Sequence, residues 1–343
     1  MKIVHCDASH AVAWDAFVAA EPTASFYHRF AWKGVNESML GHRTAYLAAL
    51  DDGGAFVGIF PLVQVKSRLF GNMACSMPFV NYGGPAAGNP EAEQLLMDAA
   101  AKVCADWDVE YLEIRSKRHL GDRLPLSEHK VSMTLDLDAD SEVLFKAFKT
   151  GHRQDIRRGY KNGLTAKFGG AELLDHFYEV MSESWHQLGT PFYRPSYFAR
   201  IVADFGDDVR LCVVYADDTP AAVAFDGIQG ETVEGMWLGA RAQYRQQLVG
   251  YVLYWELIKH ACEGGYRRFH LGRSTVDSGG EQFKKKWNAS STPLYWHYLL
   301  RTRTETPKLN VTNPKYQMAI SAWRKLPLSI TRSLGPYIAR SIP

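Results

Sequence analysis

Two stretches constrain this chain more than any others: "YLAALDDGGAFVGIFPLVQ" at 46–64 and "RLCVVYADDTPAAVAFDGIQ" at 210–229. Each is a pair of apolar, β-rich runs split by turn residues, Asp51-Asp52-Gly53-Gly54 in one and Asp217-Asp218-Thr219-Pro220 in the other. Such a pattern reads as a hairpin. The segments after each hairpin are alike too. After the first, Leu95, Leu96, Ala99, Val103 and Trp107 fall at helical spacing, and 111–115 and 130–137 read as strands. After the second come a strand at 232–240, a helix at 248–263 and strands at 267–272 and 292–300. Both post-helix strands end in Arg-Ser, "YLEIRS" (111–116) and "RFHLGRS" (268–274). Turns, helix and ending agree at an offset of roughly 160 residues, which predicts a mixed α/β unit used twice.

This repeat divides the chain into a first domain at 1–140, a basic helical connector at 141–163, a second domain at 164–300 and a basic amphipathic tail at 301–343. A length of 343 residues with 46% apolar and 22% charged residues suits two folded domains. The net charge of +2 argues against DNA as a partner and leaves anion binding to local clusters. Five cysteines, none in a C-x-x-C pair, read as reduced thiols of a cytoplasmic protein. The first residues lack a basic start with an apolar run, and no window offers 18 uncharged apolar residues.

Two segments carry charge in a pattern. Lys149, Arg153, Arg157 and Lys161 recur every four residues, so a single helix would stack them on one face, either around an anion or in water. Gly151 is that helix's weak point. The tail has eight Lys or Arg against Glu305 alone, interleaved with bulky apolar residues and broken by Pro327 and Pro336. It suits short amphipathic helices packed on the protein or lying on a membrane surface, here the inner membrane.

The motifs of several common enzymes are missing. There is no G-x-S-x-G, no G-x-x-x-x-G-K-[ST], no H-E-x-x-H and no G-x-G-x-x-G after the first strand. The twelve histidines lack metal-ligand companions, so no metal site is expected. By contrast, "ASFYHRFAW" (24–32), "LGTPFYRPSYF" (188–198) and "FHLGRSTVDSGGEQFKKKW" (269–287) together resemble the FemAB-like transferases, closest to the subgroup associated with exosortase/PEP-CTERM exopolysaccharide systems. That resemblance covers residues 1–300 and the Pro-rich tail. It implies an α/β (mixed α+β) fold of two tandem GNAT-like (acyl-CoA N-acyltransferase type) domains, whose central strands splay to admit a donor. It also implies attack of an amine on an activated ester. The donor is aminoacyl-tRNA or acyl-CoA, nothing is bound permanently as a cofactor, and the acceptor is a cell-envelope or exopolysaccharide precursor.

Such chemistry needs a neutral amine and a charge partner for the tetrahedral oxyanion. By motif position the resemblance puts Phe283 and Lys284 beside the site of transfer, Arg194 at an acceptor diphosphate and Tyr251 in the groove. Arg273 closes the strand end, and Gly279-Gly280 free the backbone of the following loop for a ligand. The alternative is that Phe283 and Trp287, four apart, simply anchor a short helix while the lysines face water. The Gly-rich pyrophosphate turn of CoA-dependent GNAT domains is missing after 232–240, where "RAQYRQQLVGYVLYW" offers Arg241 and Arg245 instead. A second departure is Asn36, where some members carry a phosphate-contacting lysine. Glu234, Asp226 and His270 are candidate bases, each equally readable as a sheet residue with an ordinary structural role. Lys149, Arg153 and Arg157 complete the expected donor surface. Three functions fit these residues: FemAB-type aminoacyl or acyl transfer, CoA-dependent acetyl transfer to an amino sugar, or a silent GNAT-like module that binds a polysaccharide precursor.

Overall fold

This computed structural model describes residues 1–68, 70–307 and 314–343. In chain order the strands are β1 (Lys2–Cys6), β2 (Arg43–Leu50), β3 (Phe56–Ser67), β4 (Gly71–Cys75), β5 (Ala86–Ala87), β6 (Tyr111–Ser116) and β7 (Leu126–Asp136). They continue as β8 (Leu164–Gly169), β9 (Val209–Ala216), β10 (Thr219–Gln229), β11 (Thr232–Ala240), β12 (Arg268–Thr275) and β13 (Ser290–Leu300). The helices are α1 (Ala11–Ala20), α2 (Ala31–Ser38), α3 (Pro90–Asp106), α4 (Ser141–Ala147), α5 (Thr150–Lys161) and α6 (Leu174–Leu188). Then come α7 (Pro195–Phe205), α8 (Val249–Glu263), α9 (Gly279–Lys285), α10 (Pro314–Lys325) and α11 (Leu328–Ala339).

Two units emerge. The first takes Met1–Lys130, the segment from Pro293 and the chain end from Arg340; the second takes Val131–Thr292 and the tail helices to Ala339. Compared with the expected spans, α4 and α5 therefore belong to the second unit. Residues 301–303 belong to the first, where Arg301 Nε donates to Val109 O at 2.6 Å and Arg303 Nε to Glu110 Oε2 at 2.7 Å. The tail expectation at 308–313 lies outside the described residues.

In the first unit the strand order is β1-β2-β3-β4-β6-β13, antiparallel throughout except for the β4/β6 pair. Alternation along β2, β3 and β6 sends Leu47, Phe60, Leu62, Leu112 and Ile114 under α3, whose Leu96, Ala100 and Val103 meet them. Trp14, Phe26, Tyr27, Trp32 and Tyr46 fill another buried aromatic cluster. The second unit orders β7-β12-β11-β10-β9-β8, with β11/β12 as its parallel pair. On one face Ala222, Ala224, Val233, Phe269 and Leu271 pack with Val252, Leu253, Leu257 and Ile258 of α8. On the other, Phe225 and Trp237 meet Phe177 of α6 and Phe198 of α7.

The connector is two helices. It breaks at Phe148–Lys149, because Phe148 turns extended to bury its ring, and Lys149 becomes the N-cap residue of α5. The break precedes the stripe, so Arg153, Arg157 and Lys161 keep their spacing along one side of α5, with Lys149 at its cap. Arg153 donates to Lys146 O at 2.9 Å and Thr150 Oγ1 at 3.2 Å, and Arg157 lies over the Phe145 ring at 5.2 Å. The tail helices pack on their own unit. Gly335 of α11 lies against the Phe192 backbone, where a Cβ would sit 3.0 Å from the carbonyl oxygen, and Arg332 donates to Ser182 Oγ at 3.0 Å.

Candidate active site

In the second unit, β11 and β12 pair only at Thr232↔Arg268, Val233↔Phe269 and Glu234↔His270, though β11 runs on to Ala240 and β12 to Thr275. Past that last rung the strands part. The β10/β11 register shifts there, between Phe225 and Asp226, and two glycines flank the opening. A Cβ on Gly235 would lie 2.9 Å from His270 O, and Gly272 has φ +76. Only glycine takes both positions without strain.

Above this parting sits α9. Ser278 caps it, accepting from Glu281 N at 3.3 Å, while the Glu281 carboxylate accepts from Asp277 N at 2.7 Å and pairs with Lys285 at 2.8 Å. Phe283 and the fully buried Trp287 hold the helix onto α8 through Tyr251 and Tyr254, with Trp287 stacked on Tyr254 at 5.5 Å. That geometry turns Lys284 inward. It is 9% exposed, and its Nζ donates to Gly272 O at 2.9 Å and Arg273 O at 3.0 Å. Burial, with the Arg273 charge beside it, pushes the ammonium pKa down to about 8. An ammonium has three N–H donors. Two are fixed on carbonyls, which leaves one for a ligand. The two readings of this segment are thus divided among its residues: the aromatics anchor, Lys284 is buried, and Lys285 and Lys286 face water. Gly279 and Gly280 begin α9 itself.

Other candidates are distributed differently. Glu234 lies at the last rung, 2% exposed, with its Oε2 2.9 Å from His270 Nδ1. Tyr251 lines a cavity of about 570 Å³ with Lys149, and its hydroxyl accepts from Lys286 at 3.4 Å. Arg194 is the N-cap residue of α7 and holds its guanidinium over the Tyr337 ring of α11 at 4.7 Å. Asp226 lines a separate small cavity between the sheet and α8, with Arg210 and His260; burial raises its carboxyl to about 8, against the pull of Arg210.

One expectation needs correcting. Arg241 does not offer its charge to a donor: it is buried, donating to Glu183 Oε2 and Pro220 O, both at 2.8 Å, and to Glu179. Its charge is spent on fastening α6 to the end of β11. Asn36 is likewise a packing residue, buried and donating to Trp32 O at 2.8 Å. Arg245 stays exposed in the short turn before α8. Sequence reasoning missed a related feature. Leu248, the N-cap residue of α8, adopts φ 68 and ψ 30, the left-handed conformation that glycine takes most readily. His152 was missed too; its one sequence sign is a place beside Gly151 in the basic stretch.

The second unit is thus a mixed sheet that opens between two parallel strands, with a buried cation at the opening. Residues 148–285 match the model described as acetyltransferase (GNAT) domain. The chain is accordingly an acyltransferase of mixed α/β fold with two tandem GNAT-like domains. Solved structures share the fold. The crystal structure of FemX is 16% identical over 93% of this chain and 100% of that one, with a TM-score of 0.67. The C-terminal domain of a putative lysylphosphatidylglycerol synthetase from Agrobacterium fabrum is 14% identical over 85% and 92%, with a TM-score of 0.57. A tandem GNAT protein from the clavulanic acid biosynthesis pathway is 12% identical over 89% and 99%, with a TM-score of 0.52. No curated protein matches the chain.

Proposed function

We propose that this chain is a FemAB-type transferase that moves an aminoacyl or acyl group from an activated ester to an amine of a cell-envelope precursor, with the second unit receiving the donor. The observation that carries this reading is Lys284, buried at the parted strands and held by Gly272 O and Arg273 O with one donor free. The amine nitrogen attacks the acyl carbonyl and a C–N bond forms. The carbonyl electron pair moves to oxygen, where the Lys284 ammonium meets the new charge. Collapse breaks the bond to the donor's oxygen or sulfur, which leaves with its electron pair. Glu234, beside His270 at the last rung, is the candidate acceptor of the amine's proton. Phe283 walls the site, and Tyr251 lines the groove.

The exopolysaccharide association of the resembled subgroup makes an amino-bearing polysaccharide precursor the first acceptor to try. Turnover with charged tRNA or acyl-CoA is the test. Lys284→Met should lower kcat by about 10²–10³-fold, the usual cost of losing one oxyanion donor. Unchanged turnover would remove Lys284 from the site.

A second reading, CoA-dependent acetyl transfer, is favoured by the left-handed Leu248 before α8 and the exposed Arg245. A melting-temperature rise with acetyl-CoA but none with charged tRNA would select it. A peripheral membrane location belongs to the proposal as well. No helix of the described residues is long and apolar enough to cross a membrane. Yet α11 turns Ile330, Leu334, Tyr337 and Ile338 outward, at 41%, 48%, 58% and 38% exposure, opposite its buried Thr331, Gly335 and Ala339. Arg324 and Lys325, a few residues earlier in the tail, are exposed, and Glu305 is the tail's one carboxylate side chain. An apolar stripe in a basic tail suits an anionic bilayer surface. Leu334→Glu with Ile338→Glu should cut sedimentation with phosphatidylglycerol vesicles at least tenfold; equal sedimentation would exclude the face.

A further inference from the structure

The cavity of about 570 Å³ beside α9 carries groups that the acyl-transfer step itself does not use. Its floor is the N-terminus of α5, a helix of 12 residues. The first turn of any helix leaves backbone N–H groups without intrahelical partners, and a cap side chain normally takes one of them. Here the cap residue is Lys149, which makes no such bond, and the first amide to bond back is Arg153 N, to Lys149 O at 3.1 Å. Gly151 faces the opening, and a Cβ there would meet nothing within 4 Å. The amides of this turn are therefore open to a ligand.

His152 is the independent sign. It lines the cavity, is 6% exposed, and neither ring nitrogen has a hydrogen-bond partner. Its ring is gripped edge-on by Trp287 at 4.2 Å and by Phe148 at 5.3 Å, with Tyr251 at 5.2 Å. Buried polar groups normally find partners, and an orphan costs about 1–3 kcal/mol. Burial and the nearby Lys286 charge push the His152 pKa down to about 4, so near neutral pH the ring is uncharged with one N–H to give.

The charges at the rim set the sign of the ligand. Lys285 is already paired with Glu281 at 2.8 Å, and Asp155 with Arg158 at 3.1 Å. Lys149 and Lys286 have no carboxylate among their contacts, and Lys286 Nζ leans on the Tyr251 hydroxyl at 3.4 Å. Amides, two lysines and a neutral imidazole N–H are all donors. A cavity of this size takes a group of nucleotide scale.

We infer that this cavity binds a phosphate group of the donor's nucleotide end, with the α5 amides, Lys149 and Lys286 around its oxygens and His152 donating from below. The inference rests on the reading of the second unit as the donor unit. The same phosphate chemistry is offered by the 3′-phosphoadenosine of a CoA ester and by the 3′ end of an RNA, and the test separates them.

Calorimetric titration of the full chain with adenosine 3′,5′-bisphosphate, with the ribonucleotide ACCA and with adenosine covers both sources and the phosphate-free control. One phosphate ligand should bind and adenosine should not. Lys149→Glu with Lys286→Glu, both at exposed positions, should weaken that binding at least tenfold and lower the slope of log K against log salt by about 1–2. His152→Phe keeps the ring packing and removes the orphaned nitrogens, so it should weaken that binding several-fold without lowering the melting temperature. Failure of both phosphate ligands to bind, equal binding of adenosine, or full affinity in the double lysine variant would overturn the site. The two readings fail separately. Phosphate binding lost in the lysine variant, without acyl transfer by the wild type, would sink the enzyme reading alone. Acyl transfer with an unchanged donor KM in the lysine variant would sink this one alone.

Discussion

The two units begin from the same plan and treat its opening oppositely. In the first, β4 pairs with β6 as far as Cys75↔Glu113, Ser76 N then donates to Glu113 O at 2.9 Å, and Gly83 N reaches Arg115 O at 2.9 Å. The place where a donor would enter is thus lined by the unit's own backbone. In the second, β11 and β12 part after Glu234↔His270, and Lys284 takes the carbonyls at the strand end. The Arg-Ser ending that makes the repeat legible does different work in each. Arg115 is 1% exposed, pairs with Glu113 at 2.7 Å and lies over the Trp296 ring at 4.4 Å. Arg273 is half-buried and contributes its carbonyl to Lys284. The repeat therefore keeps where an arginine stands and not what it does: Arg115 is locked in a buried ion pair, while Arg273 lends its carbonyl to Lys284.

The contrast can be broken in stages. The largest effect is expected at Arg115→Met, which leaves the Glu113 carboxylate buried without its cation and should cost about 3–5 kcal/mol of stability by denaturant unfolding. Arg273→Met should stay within about 1 kcal/mol. Equal losses would mean the two arginines are equivalent after all.

Next is the pH dependence of stability. The folded Lys284 loses its proton near pH 8, while an unfolded lysine keeps it to about 10.5. Below pH 8 both states are charged, so the burial penalty is fully present. Between those values the folded state binds fewer protons, and wild type should gain stability over Lys284→Met by something on the order of 3 kcal/mol. A pH-independent difference would show that Lys284 titrates normally. The smallest contrast is between glycines. A Cβ on Gly83 would lie 2.5 Å from Met77 Cβ, so Gly83→Ala should cost about 1–3 kcal/mol. At Gly279 a Cβ meets nothing within 4 Å, and Gly279→Ala should leave the melting temperature in place.

Much of this was written in local patterns. Hairpins with Asp-Asp turns, the α3 and α8 periodicities and the two Arg-Ser strand ends mark the tandem α/β plan, and the spacing of Phe283 and Trp287 marks a helix whose other side is Lys284. The features that were not legible depend on distant partners. Arg241 reads as a free cation until α6 brings Glu179 and Glu183, one helical turn apart, to meet it. The five-residue β4 is too short to show a period, and nothing local reveals that 76–85 lies along β6. His152 looks like one more polar residue of a basic helix, because a missing hydrogen-bond partner has no sequence signature.

Backbone of the first unit's own chain lines one opening, and the proposed function puts the donor in the other. Hydrogen exchange of the full chain, followed peptide by peptide with saturating acetyl-CoA and in parallel with an aminoacyl-tRNA, tests this contrast most directly. Slowed exchange is expected at 235–248 and 272–284 with the ligand that binds, and no change at 76–86 and 113–116. Protection confined to 76–86 and 113–116, with the second unit unaffected by either ligand, would contradict it.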